Sequence, residues 1–333
     1  MKQNKIKYSI LVPTYNKCEY LKFTVESILQ SKNNDFELII SDDHSDDGTE
    51  IFLSNIKDER VKILKPPIKL TQTKNYEFLL DFANGEWVTI LGDDDGIMPN
   101  FFDTLDELIK KYPQHEIFKF KRAIYYWDGV SDMYGDRVVF YEDLARTAKI
   151  RNSKLNLLFS LCGLSSAQDL PMIYTSGVVK NSLVKRIKDK SENFFFHSVV
   201  PDYYSMVALS FECSNYVFSE KPVFWVGVSS KSAGRKRKIY FDTFKDLHKK
   251  NLNIKINNNL ELTGKISKIL HKLGLTSAYL FEAILKHPYK KKFWTNKIVR
   301  TLVYSSIICN YIYLIKQPGR IKLKLKKGIF CKI

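Results

Sequence analysis

The sequence lacks the cysteine patterns that hold secreted domains or zinc sites together. Its five cysteines are odd in number, widely scattered and never form a CxxC pair, which argues against a disulfide framework and favours a reducing compartment. A signal peptide is not indicated either, because the apolar run that follows residue 7 is short and ends at Pro13. We therefore expect a cytoplasmic protein.

Acidic residues are missing from the carboxy-terminal tail. The chain of 333 residues has a formal net charge of +17, yet residues 286–333 contain 13 Lys and Arg and no Asp or Glu, which leaves a balance of +4 over the first 285 residues. The body of the protein is therefore nearly neutral. The net charge describes the tail and not the chemistry of the body.

The tail has the composition of an interfacial membrane anchor. Residues 298–315 are mostly apolar, but Arg300 and Asn310 interrupt them, so the segment is marginal for crossing a bilayer. Basic clusters on both sides favour binding of residues 286–333 to an anionic membrane surface; a core helix that packs on the rest of the protein is the alternative. The aromatic residues follow helical apolar spacing, so nucleic-acid binding is not predicted.

The first 120 residues alternate between strand and helix patterns. This alternation predicts an α/β fold with a mostly parallel sheet flanked by helices. After residue 121 the alternation fades, apart from a clear helix at 203–211. Strands are predicted at residues 7–12, 36–40, 61–64, 87–91 and 116–120, and helices at residues 19–29, 72–82 and 102–111, with a further short helix opened by residues 45–49.

Polar residues follow three of the predicted strands. Tyr15 comes after the first strand, Asp42 and Asp43 end the second, and the triplet 93–95 follows the fourth. Ligands of such sheets bind beyond the carboxyl ends of the strands, so these residues are expected to converge. Three adjacent carboxylates repel one another unless a cation binds them, and oxygen ligands favour Mg²⁺ or Mn²⁺. A solvated acidic turn at a helix start is the alternative.

Four motifs carry a resemblance to a known family. They are SILVPTYN at residues 9–16, ELIISDDHSDDGT at 37–49, the pair Lys74-Asn75, and GEWVTILGDDDGIMP at 85–99. In this order and spacing the sequence resembles the family 2 glycosyltransferases with the GT-A fold, over roughly residues 7–120. The resemblance implies that a nucleotide-diphosphate sugar binds at the strand ends.

The resemblance assigns roles to the donor-binding residues. Tyr15 is placed where the family packs an aromatic ring near the nucleobase, with the backbone around Pro13 and Thr14. Asp43 matches the carboxylate that accepts a hydrogen bond from uracil N3, and Lys74 stands where a basic residue approaches the diphosphate.

The resemblance also implies a metal site. Asp93 and Asp94 match the motif that binds the metal and the ribose, so the expected cofactor is Mn²⁺ or Mg²⁺. Many members read Leu-Asp-x-Asp-Asp, whereas Gly92 takes the first acidic position here. Asp94 is therefore the first candidate ligand, and Asp93 or Asp95 is the second.

An inverting sugar transfer needs a general base for the acceptor hydroxyl. In the family this is an acid about 100 residues after the metal motif, at a helix start, and Asp202 resembles it. We predict that Asp202 occupies the N-cap of its helix, where a purely capping role is the alternative. Glu192 and Asp169 are rival candidates, with His197 as a possible helper.

These patterns predict an inverting glycosyltransferase that moves a sugar from a UDP-sugar to a hydroxyl of a growing bacterial surface glycan. Residues 1–235 would form the catalytic domain, with the donor half at 1–120 and the acceptor half at 121–235. Within it, the Gly- and Ser-rich segment 225–235 would close over the diphosphate or remain a surface loop.

Residues 236–333 would form a helical, basic extension on the inner face of the membrane, which suits a lipid-linked acceptor. Two other functions stay open. One is a nucleotidyltransferase, although residues 14–17 are not a Gly-rich phosphate loop. The other is a catalytically silent module that binds a glycan or a membrane.

Overall fold

A computed structural model describes most of the first 232 residues and a few positions beyond them. The described residues are 6–128, 130, 137–139, 147–198, 200–232, 280, 283, 284 and 287. Apart from His287, the predicted membrane anchor at 286–333 lies outside them, and so does its apolar segment 298–315. Among the described residues, no helix has the length and apolar character needed to cross a membrane.

The amino-terminal part is the predicted α/β unit. Strands β1, β2, β3 and β4 run parallel in the order β3-β2-β1-β4, and Tyr8 at the start of β1 pairs with Phe36 on one side and Trp87 on the other. The sequence patterns located each element to within about two residues. The elements are β1 Tyr8–Thr14, α1 Cys18–Leu29, β2 Phe36–Asp42, α2 Thr49–Ser54, β3 Val61–Leu64, α3 Gln72–Phe82 and β4 Trp87–Ile90.

The second half of the fold extends the same sheet with both strand directions. The path continues β4-β9-β6-β10-β5, in which β9 is antiparallel to both β4 and β6, whereas β10 is parallel to β6. The sheet is therefore mixed beyond β4. The elements are β5 Gly96–Ile97, α4 Phe101–Lys111, β6 Ile117–Tyr126, β7 Arg137–Val139, β8 Ala148–Asn152, α5 Ser153–Leu161, β9 Gly177–Lys180, α6 Asn181–Asp189, α7 Pro201–Glu212 and β10 Asn215–Val228.

Gly85 follows α3 closely but is not its C-cap, although glycine commonly ends a helix. Helix α3 is capped by Ala83 in an extended conformation. Gly85 instead lies against β1, where an added Cβ atom would be 2.5 Å from the backbone nitrogen of Ser9, and its N–H donates to the Ser9 hydroxyl at 2.8 Å. The glycine allows β4 to enter the sheet directly beside β1.

Hydrophobic clusters cover both faces of the sheet. Side chains alternate along a strand, so Leu11 joins the cluster that contains α3 and α7, while Ile10 and Val12 join the cluster that contains α1 and α4. The described residues of the extension, Leu280, Ala283 and Ile284, are buried in the first of these clusters.

Candidate functional site

The carboxyl ends of β1, β2 and β4 meet as the sequence predicts. The Thr14 hydroxyl, at the end of β1, donates to Asp93 Oδ2 at 3.0 Å, and the backbone N–H of Asp43 donates to the Thr14 carbonyl at 3.0 Å. All three side chains are buried. Three separate stretches of sequence therefore contribute to one site at this edge of the sheet.

Lys17 supplies a cation between two of the triplet carboxylates. Its ammonium lies 2.7 Å from Asp93 Oδ1 and 3.4 Å from Asp94 Oδ1, and its side chain is 16% exposed. Burial alone would lower the pKa of Lys17, but the two carboxylates outweigh it and raise that pKa well above its ordinary value. Sequence reasoning missed this lysine, although its position three residues after Thr14 on the same strand-end turn was a usable signal.

Asp94 is held by the loop that follows β10. Its Oδ2 accepts hydrogen bonds from the hydroxyls of Ser229 and Ser232, each at 2.6 Å. Gly227 lies so close to the backbone of Asp94 that an added Cβ atom would be 1.6 Å from the Asp94 carbonyl oxygen. The described part of segment 225–235 therefore contacts the acidic triplet directly, as a loop over the site would.

Asp95 points away from this cation position. Its Oδ2 accepts from the N–H of Gly92 and its Oδ1 from the N–H of Gly227, both at 2.8 Å. Burial, with a contribution from Asp94, raises the pKa of Asp95 to about 8. An added Cβ atom on Gly92 would lie 2.6 Å from the Asp95 carboxylate and 2.8 Å from the Tyr174 hydroxyl, so the structure leaves little room for a side chain at this position.

The carboxylates that fit a divalent cation are thus Asp93 and Asp94. Their Oδ1 atoms already flank one positive charge, that of Lys17. Within the residues that the structure describes, no three acidic, His or Cys side chains are grouped as a metal site. A metal ion here would need further oxygen ligands from the substrate, a pattern typical of Mg²⁺ bound to one or two carboxylates and phosphates.

The expected nucleobase side lies next to the loop before α3. The Tyr15 ring is 42% exposed, and the Lys69 ammonium lies 3.7 Å from its centre. Asp43 Oδ1 accepts from the N–H of Leu70 at 2.7 Å, and burial raises the pKa of Asp43. Lys74 is exposed on the first turn of α3. Pairing of Lys69 with Tyr15 was not predicted.

Asp202 is not the N-cap of its helix, which corrects the sequence-based prediction. Helix α7 begins at Pro201 with Val200 as its N-cap, so Asp202 is the second helical residue. Proline favours the first helical position, since its missing N–H has no intrahelical partner to lose. Burial raises the pKa of Asp202, opposed by hydrogen bonds from its own N–H and from that of Tyr203.

The segment before α7 is hydrogen-bonded to α3. The Glu77 carboxylate accepts from the N–H groups of Phe195 and Phe196 at 2.9–3.1 Å, and the Thr73 hydroxyl donates to the Ser198 carbonyl at 2.9 Å. Helix α3 also carries Lys74 on its first turn. Helix α3 therefore carries Lys74, which is predicted to approach the diphosphate, and also holds the segment that leads to Asp202.

Two of the residues weighed beside Asp202 have local partners. His197 Nε2 lies 2.7 Å from the Ser191 hydroxyl, and Asp169 pairs with Arg151 at 3.1 Å. Glu192 lies in the turn after α6 with a positive φ of 53°. The contacts of His197 and Asp169 do not depend on a substrate.

Fold and site together define an α/β protein with carboxylates gathered around a cation position at the edge of its sheet. Residues 9–167 match the family described as glycosyl transferase family 2. Residues 9–167, slightly less than half of the chain, therefore match a family 2 glycosyltransferase domain.

Similar curated proteins agree with this family match. The GalNAc(5)-diNAcBac-PP-undecaprenol beta-1,3-glucosyltransferase of Campylobacter jejuni is 37% identical over 102 residues, which are 30% of this chain and 33% of that protein. The abequosyltransferase RfbV of Salmonella typhimurium is 33% identical over 94 residues, 27% of this chain and 28% of that protein. The chain thus matches about a third or less of the length of these relatives.

The fold is also that of a solved structure. TarS 1-349 of S. aureus, crystallised in complex with UDP-GlcNAc, superposes on this protein with a TM-score of 0.58. The superposition covers 94% of this chain and 92% of the TarS chain. At 15% sequence identity this likeness establishes the shared GT-A fold and nothing finer.

Proposed function

We propose that the protein transfers a sugar, with inversion, from a UDP-sugar to a hydroxyl of a growing glycan. The observation that carries the proposal is the meeting of Thr14, Asp43 and Asp93 at the ends of three parallel strands, with Asp94 beside them. This is the edge of an α/β sheet where nucleotides bind. The family supports the reaction class, and the complex of TarS with UDP-GlcNAc supports a uridine donor.

The donor would lie along this edge with its base near Tyr15 and Asp43. The free Oδ2 of Asp43 would accept the N3 hydrogen of uracil, because its Oδ1 is used by Leu70. The backbone around Pro13 and Thr14 would line the base, and Lys74 would approach the diphosphate. Mn²⁺ or Mg²⁺, held by Asp94 and Asp93, would supply positive charge to the leaving nucleotide.

Asp202 would serve as the general base. An acceptor hydroxyl would lose its proton to the Asp202 carboxylate as its oxygen forms the bond to the anomeric carbon, and the bond from that carbon to the UDP oxygen would break on the opposite side. Burial raises the pKa of Asp202 and so brings its basicity closer to that of a useful proton acceptor at neutral pH.

The acceptor is proposed to be lipid-linked. The name of the Campylobacter jejuni relative includes an undecaprenol-linked acceptor, and a peripheral position on the inner membrane face would suit the basic residues 286–333. Synthesis of a surface polysaccharide such as a capsule or O-antigen would provide such an acceptor.

Variants of Asp94 and Asp202 test this function. We expect Asp94→Ala to lose both hydrolysis of the UDP-sugar and transfer, because both need the charge beside the leaving group. Asp202→Asn should lower transfer by roughly 10²- to 10⁴-fold while donor binding persists, since only the base is removed. Release of UDP with Mn²⁺ present, with and without acceptor lipid, measures both. Wild-type turnover by Asp94→Ala would disprove the metal assignment, and full transfer by Asp202→Asn would place the base elsewhere.

A catalytically silent module on the same fold is the second candidate. It is favoured by the internal pairing of Asp94, whose two oxygens contact Lys17, Ser229 and Ser232. Under this hypothesis the wild-type protein would bind a glycan or membrane but release no UDP from any of a panel of UDP-sugars.

A further inference from the structure

The ammonium of Lys17 lies where a divalent cation between Asp93 and Asp94 would have to lie. We propose that Lys17 is a built-in counter-ion that competes with the divalent cation, and that a nucleotide diphosphate relieves this competition by drawing the ammonium away. The inference rests on the proposed donor site, and it concerns the order in which the site accepts its ligands.

The geometry leaves one shared cation position on the two carboxylates. Asp93 uses Oδ2 for the Thr14 hydroxyl, and Asp94 uses Oδ2 for the hydroxyls of Ser229 and Ser232. The Oδ1 atoms remain, and Lys17 Nζ lies 2.7 Å from one and 3.4 Å from the other.

A metal ion and the ammonium cannot occupy this position together. Mg²⁺ lies about 2.1 Å from its oxygen ligands, so an ion held by both Oδ1 atoms would overlap the place of the Lys17 nitrogen. Two cations so close in a buried site also repel each other strongly. Binding of the metal alone therefore requires Lys17 to move away from both carboxylates. The displaced ammonium would then have no new anionic partner.

A diphosphate supplies that partner. Lysine has a flexible stem and binds phosphate as a compact point charge. Lys17 immediately precedes α1, on the turn that follows Thr14, so a small rotation of its side chain could transfer the ammonium from the carboxylates to a phosphate oxygen. The divalent cation and the nucleotide should consequently bind with strong mutual dependence.

The experiment measures Mn²⁺ binding directly, by electron paramagnetic resonance of free Mn²⁺, with no nucleotide present. Lys17→Gln should bind Mn²⁺ at least tenfold more tightly than the wild type. Addition of Mn²⁺ should also raise the melting temperature of Lys17→Gln by more than it raises that of the wild type. Lys22→Gln is the matched control, because Lys22 is exposed on α1 and carries the same charge; it should behave as the wild type. The double variant Lys17→Gln/Asp94→Ala should lose the tighter Mn²⁺ binding of Lys17→Gln, which would show that the ion binds at Asp94.

Lys17→Arg keeps the charge and the pairing of the carboxylates, so it tests the idea even if Lys17→Gln folds poorly. It should bind Mn²⁺ no more tightly than the wild type. Equal or weaker Mn²⁺ binding by folded Lys17→Gln, or tighter binding by Lys17→Arg, would overturn the inference. UDP-sugar turnover is not part of this readout. If Lys17→Gln binds Mn²⁺ more tightly but the wild type turns over no UDP-sugar, the proposed function would be disproved. The competition between Lys17 and the divalent cation would still hold.

Discussion

At the scale of single residues, the acidic triplet has two different tasks. Asp93 and Asp94 face a shared cation, whereas Asp95 accepts two backbone N–H groups and so joins the turn after β4 to β10. The carboxylate of Asp95 fills the space beside Gly92. Adjacent residues of like charge thus differ in their contacts: two pair with the Lys17 ammonium, and the third holds the turn after β4 against β10.

The space beside Gly92 gives a first prediction. Gly92→Ala should lower the free energy of unfolding by about 1–3 kcal/mol, because its Cβ atom would press on the Asp95 carboxylate and the Tyr174 hydroxyl. Tyr174→Phe removes one of these contacts, so the double variant should lose less than the sum of the two single changes. Urea unfolding of the four proteins measures this, and simple additivity would contradict the packing argument.

The meeting of the strand ends could be predicted from the sequence because the patterns that mark each strand are local. Tyr15, Asp43 and Asp93 each follow a recognisable buried strand, and parallel strands end at one edge. The contacts of Ser229 and Ser232 with Asp94 could not be predicted in the same way, since more than 130 residues separate them. The pairing of Lys17 with two carboxylates likewise depends on how β1 and β4 are placed side by side.

At the scale of elements, the difference between prediction and structure lies after β4. The alternating patterns predicted the parallel strands β1 to β4, but β9 inserts antiparallel between β4 and β6. The order of strands there depends on pairings between distant parts of the chain, which a local pattern does not encode. Strand β6 also carries a fully buried lysine, Lys119, between the buried Phe118 and Phe120.

Lys119 gives a prediction for this part of the sheet. Burial, reinforced by Arg122, lowers the pKa of Lys119 well below its ordinary value, and its side-chain amine contacts the Ser176 hydroxyl and the Phe120 carbonyl. The unfolded chain therefore binds more protons, so stability should rise with pH until the ordinary pKa of lysine is reached. Lys119→Met should remove this slope and raise the free energy of unfolding at pH 7 by about 1 kcal/mol or more.

Denaturant unfolding of both proteins between pH 6 and pH 9 checks this. A Lys119→Met protein that is less stable at pH 7 and keeps the wild-type slope would show that the buried amine is not the source of the pH dependence.

At the scale of the whole molecule, the described residues of the carboxy-terminal extension are buried against the α/β unit. Leu280, Ala283 and Ile284 are fully buried, and the His287 ring lies 5.0 Å from Phe211 on α7. The boundary at residue 235 stays a prediction. The sequence raises a core helix, as the alternative to a membrane anchor, only for residues 286–333, and three side chains at helical spacing just before them are a weak pattern.

His287 makes this packing measurable through pH. Burial, with the charge of His197 nearby, lowers the pKa of His287 to about 4. As the pH falls, His287 is protonated in the unfolded chain before it is protonated in the folded protein. The stability that the neutral, buried His287 side chain contributes is therefore fully present above pH 6.5 and is lost as the pH falls from 6.5 towards 4. His287→Phe should remove that loss, as measured by urea unfolding at pH 7 and pH 5. An unchanged loss in the variant would mean that residue 287 is not buried on α7.

The central claim, that the carboxyl ends of β1, β2 and β4 bind a uridine nucleotide, is tested most directly by titrating UDP and CDP into the wild type and Asp43→Asn by calorimetry. We predict that the wild type binds UDP more tightly than CDP, because only uracil has a hydrogen on N3 for the Asp43 carboxylate. Asp43→Asn should lose about 10- to 100-fold in affinity for UDP, the value of a hydrogen bond to a charged group. No binding of UDP by the folded wild type, or equal affinity in Asp43→Asn, would contradict the account.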